Sequence, residues 1–139
     1  MDRRIKHSNI WQGVRDHLLR RDDALAGKYP WRTVAREIAS SALVRTALFG
    51  NDPNWGRFVS QVGNSREVRD AAALRCTLQG IVVFERGEPA AFDRAALSSA
   101  MAVDDVSLAI DLRDGTADAD LLVSDLGYRY VEINAEYTT

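Results

Sequence analysis

The chain has 139 residues, 46% hydrophobic and 27% charged, with a net charge of −2, the balance of an ordinary globular protein. That length suits one domain with an appended segment, whose core buries roughly 68% of the unfolded surface and needs no staples. A single cysteine, Cys76, excludes an intramolecular disulfide and favours a reducing compartment. No apolar run approaches the ~18 residues of a membrane span. No apolar h-region follows the charged N-terminus, so the expectation is a cytoplasmic chain. Charge is unevenly placed: residues 1–33 sum to +4 and the remainder to −6, which marks a boundary near residue 30.

In chain order, Ser8 caps a predicted helix over 8–20 in which Ile10, Trp11, Val14 and Leu18 recur at helical spacing. Asp22, Asp23, Gly27 and Pro30 break it. Pro30 opens a second helix, with Val34, Ile38 and Ala42 on one face, ending near Ser40-Ser41. The short apolar run Leu43–Phe49, closed by Gly50, reads as an interior strand. Asp52 as N-cap and Pro53 at the first position then start a helix striped by Trp55, Phe58, Val59 and Val62, which Gly63-Asn64 ends. Leu74–Phe84 reads as a strand kinked at Gly80, with Arg86-Gly87 turning into a short return strand. Asp93 caps a helix over 94–102. Val106 to Arg113 alternates with period two, and Asp114-Gly115 turns it into a partner strand over 117–123. Strands joined partly by hairpins and partly by helices imply an α+β, two-layer domain, with helices packed on a mixed, largely antiparallel sheet.

Few motifs carry chemistry. The chain has no Gly-rich phosphate loop, no set of Cys and His at metal spacing, and just two histidines, His7 and His17, neither in a nucleophile-elbow context. No cofactor and no metal are therefore expected. Asp111, Asp114, Asp118 and Asp120 lack the spacing of an EF-hand loop and read as solvated acids of a hairpin. Cys76, in an apolar strand, reads as structural. Asn54-Trp55-Gly56-Arg57 stands at a helix start. It is open to an anion-binding reading and to a structural one, in which Trp55 packs in the core and Gly56 permits a close approach. The basic N-terminal helix fits an amphipathic segment docking on the domain or on a partner. Its charge is a weak footprint for nucleic acid, and its apolar face is narrow for a membrane surface, so neither is expected as a partner.

Several stretches resemble the ornithine acetyltransferases (bifunctional glutamate N-acetyltransferases). The run from Ala35 to Gly50 leads directly into Asn51-Asp52-Pro53-Asn54-Trp55-Gly56-Arg57, and together these are highly specific. Gly80–Phe84 and the 111–125 region match more weakly. The tail Tyr130-Val131-Glu132-Ile133-Asn134-Ala135-Glu136-Tyr137-Thr138-Thr139 completes a match in order and spacing from about residue 34. The resemblance implies acetyl transfer from N-acetylornithine to glutamate, in arginine biosynthesis. The chemistry is that of an N-terminal Thr nucleophile activated by its own amine, an acyl-enzyme and an oxyanion hole. Substrate-binding residues of the family's tail fall on Asn134 and Thr139.

The chain also departs from that pattern. It begins with Met1 rather than Thr and holds no counterpart of the self-cleavage segment, the oxyanion hole or the Gly-rich substrate segment. Leu122-Val123 replaces a usual Trp-Gly pair, Gly127 a usual Thr or Pro, and Arg129 an acid, as relaxed constraint would allow. The expectation is residues 1–30 as a basic amphipathic segment outside the match and 31–139 as the C-terminal domain of such an acetyltransferase, with no catalytic residue of its own. It would not catalyse in isolation. It would require a nucleophile-bearing acetyltransferase chain, or self-association, to complete a site for an amino-acid substrate. The alternative is a non-catalytic remnant or protein-interaction domain. Apolar surface that once faced the missing half would be exposed, or covered by residues 8–19.

Overall fold

The computed structural model describes residues 30–115 and 119–136; the predicted helix over 8–20 lies outside them. Helix α1 spans Pro30–Ser40 and buries Val34 and Ile38, one turn apart, as expected. Ser41 then adopts an extended conformation, φ −67° and ψ 120°, and its side chain accepts a hydrogen bond from the Val44 amide. One residue thus ends α1 and caps α2, Ala42–Phe49.

That second helix corrects the expected strand over Leu43–Phe49. Its buried residues are Val44, Ala47 and Leu48, at i, i+3 and i+4, which is helical spacing. The apolar run looked continuous because Leu43 and Phe49 are also apolar, yet Leu43 is 59% exposed. Helix α2 closes on a Schellman motif. The Asn51 amide donates to the Leu48 carbonyl at 3.2 Å, and the Asp52 amide to the Ala47 carbonyl at 2.9 Å. Asn51 takes the left-handed conformation, φ 50°, which Asn tolerates better than most residues.

Helix α3, Trp55–Gly63, starts later than expected. Its N-cap is Asn54, with no side-chain capping bond, and Asp52 is not the cap. Its buried face, Phe58 and Val62, packs on the sheet, and Asn64 ends it. Trp55 stacks on Phe84, with centroids 5.2 Å apart at 26°.

The sheet is formed by β1 Arg75–Leu78, β2 Ile81–Glu85, β3 Glu88–Pro89 and β4 Leu108–Asp111, in the order β3-β2-β1-β4. Every pairing is antiparallel. The expected single kinked strand over Leu74–Phe84 is instead a hairpin. Gln79 and Gly80 both have positive φ, 50° and 78°, as a type I′ turn requires. Arg86-Gly87, at 56° and 80°, repeats the device into β3, as expected. The register slips by one residue between the pairs Cys76–Phe84 and Thr77–Val82. This bulge inserts Val83, so that Val83 and Phe84 in succession reach the core.

Asp93 caps helix α4, Arg94–Ala100, through the Ala96 amide. β4 shows the expected alternation. The expected partner strand over 117–123 is corrected: residues 119–123 form no strand, and β4 pairs with β1 alone among the described residues. Asp111 accepts from the Arg113 amide at 2.9 Å, and Arg113 turns left-handed at φ 55°, so the strand stops there. The core joins Val34, Ile38, Val44, Leu48, Phe58 and Val62 of the helices to Leu74, Cys76, Leu78, Val83 and Phe84 of the sheet, with Leu97 and Met101 closing one end. The fold is α+β with five helices and this antiparallel sheet among the described residues. None of the described helices is long and apolar enough to cross a membrane.

Candidate functional site

The Schellman turn after α2 faces α4 across an open groove of about 440 Å³, lined by Gly50, Asn51, Asp52, Pro53, Arg94, Ala95 and Ser98. Asp52 sits between two guanidinium groups, Arg94 at 2.6 Å and Arg57 at 4.0 Å. Arg57 also donates to the Leu43 carbonyl at 3.2 Å and to the Thr46 hydroxyl at 3.3 Å. The Ser98 hydroxyl donates to the Asn51 carbonyl at 2.7 Å. The carboxylate is therefore neutralised and the hydroxyl proton is held by a carbonyl. Such a set fastens the turn to α4 and to α3; it does not present an activated nucleophile. At Asn54–Arg57 the structural reading holds for Trp55 but not for Gly56, where an added Cβ would meet only Asn54 Oδ1, at 3.3 Å, and no neighbouring element among the described residues. Trp55 packs on Phe84, and Arg57 ties α3 back to α2.

Cys76 is wholly buried, and desolvation pushes its thiol up to about 12, far from the thiolate that reactive cysteines need. Asp111 pairs with Arg113 at 3.1 Å.

The tail approaches the domain at α2. Arg45 Nε donates to the Ser124 carbonyl at 2.8 Å, and its Nη2 to the Ser124 hydroxyl at 3.1 Å and the Asp125 carbonyl at 3.5 Å. The Arg45 carbonyl accepts from the Leu126 amide at 3.2 Å. One turn further along α2, the Phe49 ring meets Gly127 so closely that a Cβ there would lie 2.7 Å from Phe49 Cδ2. The same ring meets Tyr128 edge-on, centroids 5.5 Å apart at 89°. A side chain at Gly127 would therefore have to displace the Phe49 ring.

From Tyr128 the chain enters α5, Tyr128–Glu136, in which no residue is buried. Tyr128 is 87% exposed, Val131 66%, Tyr130 55% and Ile133 54%. Asn134 stands on this helix, its Nδ2 donating to the Tyr130 carbonyl at 2.7 Å. Thr139 lies outside the described residues. Arg45, Phe49, Arg94 and Ser98 were not singled out from sequence. Their contacts join positions 42 to 80 residues apart, which local patterns do not register.

The ArgJ family model matches residues 27–139. The chain belongs to the ArgJ family. It is 44% identical over 119 residues to the arginine biosynthesis bifunctional protein ArgJ of Gloeobacter violaceus, covering 85% of this chain. Against the ArgJ protein of Thermus thermophilus it is 45% identical over 108 residues, covering 78% of this chain. The chain spans 28% of the length of each. A crystal structure of ArgJ from Bacillus halodurans superimposes with a TM-score of 0.71 at 32% identity, over 75% of this chain and 49% of that one. The ArgJ match takes in the α2 turn, the groove and the α5 tail, and leaves residues 1–26 outside it.

Proposed function

We propose that the chain forms the C-terminal portion of an ArgJ-type acetyltransferase, offering Asn134 and Thr139 to an amino-acid substrate during acetyl transfer from N-acetylornithine to glutamate. The Thr nucleophile and the oxyanion hole come from the remaining portion of the protein or from a second chain. One observation carries this reading. The family match runs through the tail, and there Asn134 stands on a helix with no residue buried against its own domain, open to a surface elsewhere. A side-chain amide both donates and accepts, as the ammonium and carboxylate of an amino acid require. Residues 31–139 act as the domain and residues 1–30 as an addition to it. The lone, buried Cys76 suits a reducing, cytoplasmic setting.

An oxyanion donor alone contributes about 2.7–4 kcal/mol to acyl transfer, and the groove residues offer no substitute. The 139-residue chain on its own is therefore expected to give no acetyl exchange between N-acetylornithine and glutamate. Mixed with the Thermus thermophilus protein deleted of the matching region, it is expected to restore turnover. Robust exchange by the chain alone overturns the dependence on a partner. Complex formation without turnover overturns the acetyltransferase reading and leaves a protein-interaction domain.

A further inference from the structure

The described contacts of the tail with the domain gather at its root. Arg45 grips Ser124 and Asp125 with its guanidinium and Leu126 with its carbonyl. Phe49, four residues on and so on the same face of α2, wedges against Gly127 and Tyr128. Beyond this point α5 buries nothing. The direction in which the helix leaves the domain is therefore set where it starts.

We propose that Arg45 and Phe49 form a clamp that aims the tail helix and so positions Asn134. Arg45 is a positioning residue for the substrate site, an assignment that rests on the function proposed above. The geometry gives the leverage. Asn134 lies six residues past Tyr128, about 9 Å along the axis at 1.5 Å per residue. A swing of about 20° at the clamp displaces its amide by about 3 Å, the whole length of a hydrogen bond. The guanidinium is suited to the task. Its planar fork reaches a carbonyl and a hydroxyl of the same residue from two nitrogens, which a lysine ammonium does not do in one fixed geometry. Gly127 completes the clamp by letting the chain lie flat on the Phe49 ring.

The clamp is tested by distance measurements between spin labels at Arg69→Cys and Glu136→Cys, both exposed positions; the buried Cys76 stays unlabelled. The intact clamp gives one narrow distribution. Arg45→Ala is expected to widen it about twofold, and Arg45→Lys to an intermediate degree, with the melting of the domain body unmoved. An unchanged width in Arg45→Ala overturns the clamp. Positioning is tested in the complex with the truncated Thermus thermophilus protein. Arg45→Ala and Asn134→Ala are each expected to raise KM for N-acetylornithine about tenfold, as for one lost hydrogen bond to a charged group. The double variant is expected to raise it no further, because both changes remove the same contact. A KM that responds to Asn134→Ala but not to Arg45→Ala overturns positioning. A KM indifferent to Asn134→Ala sinks the substrate-site reading and with it the role of Asn134, while the label distances alone still decide the clamp.

Discussion

Cys76 shows how burial turns one side chain into a pH-dependent term in stability. Its thiol moves from 9.0 to about 12 because the core desolvates the thiolate. The unfolded chain gives up this proton near pH 9, whereas the folded chain keeps it until near 12. The stabilising contribution is therefore fully present below pH 9 and is lost as pH climbs from 9 towards 12, at up to about 1.4 kcal/mol per pH unit. Cys76→Val removes that slope. Urea unfolding at about pH 8 and about pH 10.5 should show the wild type losing more stability between the two than the variant does. Equal losses would mean that the thiol titrates in the folded state as it does in the unfolded one. At the same scale, Gly127 and Phe49 form a single steric unit, in which one residue lacks a side chain so that the other's ring can lie against the backbone.

Helix α2 is the element on which the tail depends, and its start rests on one hydroxyl. Ser41→Ala removes the cap on Val44 and is expected to lower stability by about 1 kcal/mol. Ser41→Thr should largely restore it, as read by the midpoint of denaturant unfolding. This element also shows what local patterns reveal and what they hide. Pro30 and Asp93 start α1 and α4 through interactions within a few residues, and β4 alternates on its own, so all three could be read from sequence. Residues 43–49 could not, since seven residues with two β-branched side chains fit a buried strand as well as a helix until the burial of Val44, Ala47 and Leu48 selects one period. The hairpin at Gln79-Gly80 was hidden because glutamine is no turn signal. It holds a left-handed conformation there while its side chain accepts from the Ser107 amide and donates to the Ala100 carbonyl, and its amide donates to the Ser107 carbonyl. Asp52 looked like a cap, but Arg94, 42 residues away, claims its carboxylate. Asn134 and Thr139, proposed above as substrate contacts, came from family resemblance and not from any spacing, because an individual polar residue leaves no mark in hydrophobic periodicity.

At the scale of the molecule, the described residues divide into a packed body and an outlying helix. The body holds the core from Val34 to Val106. The helix holds Asn134 and a broad apolar surface beside an Arg129, Glu132 and Glu136 stripe. A nine-residue helix without packing is marginal in water, so α5 depends for its order on the Arg45 and Phe49 contacts at its root. Removing residues 130–139 is expected to change the unfolding free energy of the body by less than about 0.5 kcal/mol, the range of surface changes, as read by urea denaturation. A larger loss would show that the tail helps to hold the core.

The absence of any buried residue in α5 has a practical consequence. A protease that nicks a protein first at its least protected backbone meets this helix before it meets the sheet. Material trimmed there would melt at the same temperature, give the same circular dichroism from its core and still lack Asn134. On the function proposed above, evidence of an intact fold is not evidence of an intact substrate site, and each preparation needs the mass of its C-terminal peptide measured before an assay is interpreted.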